Sequence, residues 1–179
     1  MKLKPIIREI LREQHIVNEI GDTTEVYDLN GPDFEVNDGW AGETPLWTYT
    51  FSTPDGDKYY VVFEGAYWED DNDELQFEDF LDVSFNSKMT GVTSKGANLS
   101  KQTFSVMATV VKAVNDFMAK NKWANVLKFS TTGENKDRVS SKFKLYKVFM
   151  NKHLDPSLGF EETEPDTGSG AIYRKNPIK

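Results

Sequence analysis

Phe77-Glu78-Asp79-Phe80-Leu81-Asp82-Val83-Ser84-Phe85 opens the stretch on which the reading of the whole chain turns. The run from Phe77 to Phe85 reads as one alternating strand with one buried face. A polar loop rich in Gly, Ser, Thr and Lys runs from Asn86 to Gln102. The spacing then predicts a helix over Phe104 to Lys120, and Val126-Leu127-Lys128-Phe129-Ser130 reads as a short apolar strand. Strand, loop, amphipathic helix and strand make a βαβ unit whose loop leads into the helix N-terminus. Such a terminus offers unpaired N–H groups and a partial positive charge, both suited to a phosphate. No tighter motif in the stretch names a reaction.

Working outward, the helix carries Phe104, Met107, Val110, Val111, Val114 and Phe117 on one wide face, which reads as core. Thr103 or Ser100 can cap its start. Upstream, Trp47-Thr48-Tyr49-Thr50-Phe51 alternates, Pro54-Asp55-Gly56 turns, and Lys58-Tyr59-Tyr60-Val61-Val62-Phe63 is β-branched and aromatic, so the two form a hairpin. Residues 21–43 are acidic and broken by the turn signals Asn30-Gly31-Pro32-Asp33 and Asn37-Asp38-Gly39, with short strands expected at Glu25–Tyr27 and Phe34–Val36. Ile6, Ile7, Ile10 and Leu11 form the stripe of an N-terminal amphipathic helix over 4–20. Downstream, a polar loop over Thr131–Arg138 precedes a helix near Val139–His153, followed by strands at Leu158–Glu162 and Ala171–Arg174. The expected architecture is a single α+β domain over residues 1–179, with a mixed, mainly antiparallel sheet and helices on both faces.

The chain has 179 residues, 38% hydrophobic and 13% aromatic, long and apolar enough for a sizeable core. It has no cysteine, which excludes disulfides, thiolate metal sites and cysteine nucleophiles and leans towards a reducing compartment. No apolar run approaches the ~20 residues that cross a bilayer. The start, Met1-Lys2-Leu3-Lys4-Pro5, leads into charged helical sequence, so the expectation is a cytoplasmic protein with no membrane partner. The net charge of −8 is unevenly spread. Residues 1–85 hold 21 Asp/Glu against 5 Lys/Arg, a balance of −16, and residues 86–179 hold 8 against 16, a balance of +8. The split reads either as solvated faces with attraction between the halves or as a basic half that faces an anion such as a phosphorylated cofactor or nucleic acid, and the overall acidity argues against a general nucleic-acid binder.

The order of elements resembles the GNAT acyltransferase fold, in which an antiparallel hairpin leads into a βαβ unit and then a further helix and strand pair. The resemblance spans most of residues 45–175. The chain also looks like uncharacterised bacteriophage proteins that carry a Phe-Ser-Thr turn and an Arg followed by Leu-Tyr, here Phe129-Ser130-Thr131, Arg138 and Leu145-Tyr146. In acyltransferases of this fold the loop before the central helix holds the pyrophosphate of acetyl-coenzyme A, and a Tyr on the next helix protonates the leaving thiolate. The resemblance therefore implies acetyl-coenzyme A as cofactor, a small-molecule or protein amine as substrate, and, for a phage protein, the host cytoplasm. It points to Tyr146 as catalytic acid, with Asp82 or Ser84 facing the reacting carbon. It places the cofactor among Ser84, Lys95, Gly96, Lys101, Thr103, Phe104 and Ser130. The chain departs from the family's Gln/Arg-x-x-Gly-x-Gly/Ala loop, because Gly91 and Gly96 are widely spaced, and its segment from Tyr146 to Gly159 is longer.

Other chemistry is thin. His15 and His153 are the only histidines and fall in separate helices, so no metal is expected. The acidic run Glu69–Glu74 lacks the spacing of a calcium loop. There is no Gly-x-Ser-x-Gly elbow and no Gly-x-x-x-x-Gly-Lys-Ser/Thr phosphate loop. Arg138 beside Asp137 reads as a local pair. The alternative to an acyltransferase-like protein is a catalytically inactive relative that serves as a viral interaction or structural protein and acts through a protein partner. It is motivated by the degenerate loop, the charge split and the aromatics Trp40, Trp47, Tyr67 and Trp68.

Overall fold

A computed structural model gives the structure of residues 25–39, 42–70, 75–87, 101–130, 146–163 and 170–175. The described elements run β1 (Asn30–Gly39), β2 (Gly42–Ser52), β3 (Lys58–Glu64), β4 (Tyr67–Glu69), β5 (Leu75–Phe77), β6 (Phe80–Ser87), α1 (Lys101–Lys120), β7 (Val126–Ser130), α2 (146–153), a 3₁₀ turn (Pro156–Leu158), β8 (Phe160–Thr163) and β9 (Gly170–Lys175). Seven strands form one sheet in the order β1-β2-β3-β6-β7-β9-β8, and β4 pairs with β5 in a small separate ribbon. Every adjacent pair is antiparallel except β6 and β7, which the α1 crossover makes parallel. The expected N-terminal helix, residues 88–100 of the expected loop before α1, the expected loop over 131–138, residues 139–145 of the expected helix after it, and residues 165–169 of the expected turn lie outside the described residues.

Alternation decides which face is buried. Trp47, Tyr49 and Phe51 of β2 are buried while Leu46, Thr48 and Thr50 between them are half-buried, and Val61 and Phe63 of β3 continue the same side. Register carries that face across the sheet through Val83 of β6, Phe129 of β7 and, beside Leu127, Tyr173 of β9. Both described helices cover this one face. Phe117 of α1 stacks on Phe63 with centroids 4.1 Å apart, Tyr146 of α2 meets Phe85 at 4.8 Å, and Phe104 of α1 stacks on Phe149 of α2 at 6.0 Å. Asn115 of α1 donates to the His153 carbonyl and accepts from the Asp155 N–H, each at 2.9 Å, which holds the end of α2 alongside α1.

The expectation of helices on both faces is thereby overturned. On the opposite face Thr48, Thr50, Glu64, Asp82, Lys128 and Arg174 alternate with the buried residues, and all are half-buried or exposed. A sheet covered on both sides needs near-continuous apolar strands, whereas β2 and β6 carry polar residues at alternate positions along Trp47–Phe51 and Leu81–Phe85.

Local readings also shift. The two turn signals at Asn30–Asp33 and Asn37–Gly39 fall inside one strand, β1, whose register slips between Asn30 and Asp33. Gly31 there has φ +107°, and a Cβ would stand 2.6 Å from the Thr48 carbonyl oxygen, so the slip needs a glycine. The expected strand from Phe77 breaks at Glu78–Asp79, separating β5 from β6, because Asn125 and Val126 donate their N–H groups to the Asp79 carbonyl.

Two polar ties bind the sheet layer to α1. Thr109 is buried on α1 and accepts from the Tyr27 N–H at 2.9 Å, fastening the segment before β1. The Tyr49 hydroxyl donates to Asp116 at 2.6 Å, and Lys120 reaches the same carboxylate at 2.7 Å. Partial burial pushes Asp116 up, but its bonds from Lys120 and Tyr49 outweigh this and hold it below the ordinary carboxylate range. Burial, then the Asp116 bond, drives the Tyr49 hydroxyl well above its usual value. A depressed carboxyl contributes stability in full above its unfolded pKa, and loses it as pH falls through the folded value. Tyr49→Phe is expected to cost about 1–2 kcal/mol in urea unfolding at pH 7. The deficit should narrow as the pH falls below the ordinary carboxylate range and through the lowered folded-state value of Asp116. An equal deficit at pH 7 and in acid would show that the bond does not depend on the carboxylate.

Candidate functional site

The expected site lies where β6 and β7 run parallel. Their ladder pairs Phe80 with Val126, Leu81 with Leu127, Asp82 with Lys128 and Val83 with Phe129, and then stops. Beyond it β6 continues only against β3, with Ser84 opposite Val62, while Ser130 pairs with Gly170 of β9. The two strands therefore part at Ser84 and Ser130, the place a cofactor between them would need.

On the helix-covered side Tyr146 occupies the approach to this parting. Its ring lies 4.8 Å from that of Phe85 on β6 and 6.1 Å from that of Phe129 on β7, and it is 8% exposed. Burial raises its hydroxyl well above the ordinary tyrosine value, which makes it a poorer proton donor at neutral pH. The side chain is placed as a wedge in the core.

Asp82 and Ser84 stand on the other face, because strand residues one apart point to opposite sides. Asp82 faces Glu64 on β3 and Lys128 on β7. Lys128 Nζ approaches Asp82 Oδ1 at 3.8 Å and sits 5.9 Å from the centre of the Phe80 ring. That oxygen is shielded from solvent and makes no hydrogen bond among the described residues. The sheet thus separates the two expected catalytic residues, Tyr146 and Asp82.

Of the expected cofactor residues, Lys101 and Thr103 fall in the first turn of α1, and the Phe104 ring packs on Phe149 in the core layer. Lys95 and Gly96, with Arg138, lie outside the described residues. Ser84 lies on the face of the sheet opposite to Phe104 and Tyr146. A hollow of about 420 Å³ lies between the Val26–Asp28 segment and the β2–β3 turn, and one of about 200 Å³ lies between α2 and β8. Neither is lined by Tyr146, Asp82 or Ser84.

Among the described residues no group of three or more His, Asp or Glu is arranged to hold a metal, and no helix is long and apolar enough to cross a membrane. His153 keeps a buried, unbonded Nε2 beside Phe149, and burial followed by Lys152 lowers its pKa.

Sequence reasoning passed over the corner of β1, β2 and the β4–β5 ribbon. There Phe34 contacts Trp47 at 5.2 Å and Phe77 at 6.4 Å, and the Tyr67 hydroxyl donates to the Glu43 carboxylate, pushing its pKa up to about 12. Trp47, grouped with the exposed-looking aromatics, is buried, whereas Trp68 is exposed and Trp40 lies outside the described residues. The short strand expected at Phe34–Val36 does fall here, inside β1, and the alternation Asp33-Phe34-Glu35-Val36 is the signal that points to the corner.

Compared with known proteins, the chain matches no family model, no curated protein and no solved structure.

Replacing the wedge and the surface carboxylate should separate their roles. Tyr146→Ala is expected to destabilise the protein by about 3–5 kcal/mol in denaturant unfolding, the usual cost of truncating a core aromatic. Asp82→Asn should change stability by less than ~1 kcal/mol, because its ion pair is partly exposed. A Tyr146→Ala protein as stable as the parent would remove the wedge.

Proposed function

We propose that this chain is a non-enzymatic interaction or structural protein that works through a protein partner. One observation supports the reading above others: Tyr146, the residue that would have to deliver a proton, lies between Phe85 and Phe129 as core, with Asp82 and Ser84 on the far side of the sheet. General acid catalysis needs the proton donor within hydrogen-bond reach of the leaving atom, and the nucleophile's base on the same side. In the phage setting implied by the sequence resemblance, the protein would meet its partner in the host cytoplasm.

A second reading, an acyltransferase-like protein that binds acetyl-coenzyme A and acylates an amine, is favoured by the parting of β6 and β7 after Val83 and Phe129. Thermal unfolding with and without ~1 mM acetyl-coenzyme A distinguishes the two. A ligand at a hundredfold excess over its Kd stabilises the folded state by about 2.7 kcal/mol, a rise of roughly 5–11 °C at this chain length. No shift is expected. A rise of that size would overturn the first reading and establish cofactor binding.

A further inference from the structure

β1 is the outermost strand of the large sheet, and among the described residues nothing pairs with its outer side. Residues 33–38 are all exposed. An open strand edge is a row of unpaired N–H and C=O groups, a template for a further strand. Alternation gives this edge two different sides. Phe34 and Val36 stand opposite Trp47 and Pro45 and extend the aromatic face to the sheet margin, yet remain 48% and 41% exposed. Asp33 and Glu35 stand on the other side, opposite Thr48 and Leu46. Among the described residues neither carboxylate has an ion-pair partner. The surroundings reinforce the sign, since residues 25–87 contain 17 Asp/Glu and one Lys or Arg, Lys58.

We propose that the outer edge of β1 receives an extended segment of a partner protein in which basic and apolar residues alternate. Main-chain hydrogen bonds add the segment to the sheet. Its apolar side chains cover Phe34 and Val36 on one side, while its Lys or Arg side chains meet Asp33 and Glu35 on the other. Charge selects this occupant over a second copy of β1, which would bring carboxylates against carboxylates. The inference deepens the binding reading above and takes its biological role from it.

The test is fluorescence anisotropy with a labelled peptide alternating Lys and Val, against the full chain. The comparison peptide has the same composition with one central Val replaced by Pro, which keeps the charge and breaks the ladder. Saturable binding of the alternating peptide is expected, about tenfold weaker for the Pro peptide and about tenfold weaker for the Asp33→Lys/Glu35→Lys protein. Backbone amides within residues 33–38 should gain hydrogen-exchange protection on binding. Equal binding of both peptides, or unchanged exchange in β1, would overturn the proposal by reducing it to general attraction between opposite charges. No binding of the alternating peptide would overturn it too. If acetyl-coenzyme A still gave no melting shift, that failure would leave the non-enzymatic reading in place with its surface elsewhere. A melting shift together with specific peptide binding would do the reverse.

Discussion

Burial of one face of the sheet under α1 is the constraint from which the rest of the structure follows. Val110, Val111, Val114 and Phe117 are fully buried against Val61, Phe63, Leu81 and Leu127. Each such side chain stabilises the fold by roughly 1.5–3 kcal/mol relative to exposure. The contact requires α1 to lie across the centre of the sheet, so the strands before and after it must run parallel, and β6 and β7 do. The other ladders can then stay antiparallel, with short connections such as the Pro54–Asp57 turn, where the Thr53 N–H donates to the Asp57 carbonyl and the Gly56 N–H to the Thr53 carbonyl. The β4–β5 ribbon and the segment before β1 are dependents of the same layer, held by the edge-on contact of Trp47 with Phe77 and by the Thr109 bond.

Much of this was legible because two periods compete cleanly in the sequence. The three-to-four-residue spacing from Phe104 to Phe117 makes a helix with one wide apolar face, the period of two in 47–51 makes a half-buried strand, and the β-branched and aromatic run 58–63 supplies its hairpin partner. The number of covered faces was legible too, but from the polar positions: Thr48, Thr50, Asp82 and Lys128 mark a side that no helix of the described residues covers. Reading helices on both faces weighed the order of elements above that alternation. β1 was obscured for a different reason. Asn, Gly, Pro and Asp are turn formers when the chain is free to turn, and here eight residues of β2 supply backbone partners that hold them extended, with Gly31 absorbing the one slip.

The site illustrates how parity defeats proximity in sequence. Asp82, Ser84 and Phe85 are near neighbours along β6, and all lie close to the βαβ loop in the linear order. Yet a single step along a strand reverses the face, so Phe85 joins Tyr146 in the core while Asp82 and Ser84 join Lys128 outside. Tyr146 falls on a helix after β7, as its place in the sequence suggests, and its ring packs between Phe85 and Phe129. An aromatic at that point is needed to fill the widening space between two strands that part after Val83 and Phe129, and a tyrosine fills it with a ring whose hydroxyl burial keeps neutral.

The charge split gains a physical reading from the same geometry. An exposed strand edge with Phe34 and Val36 on one side is an aggregation hazard in any sheet protein. Asp33, Glu35 and Asp38 make self-pairing costly, since identical acidic edges repel at the spacing of a ladder. That protection is selective by sign. It excludes copies of the same strand and leaves the edge open to a strand of opposite charge, so one set of carboxylates both keeps the protein from pairing with itself and defines the partner it can accept. The exposed Phe34 ring then has a use that solubility alone would not explain, because a merely protected edge would place polar residues at both 34 and 36.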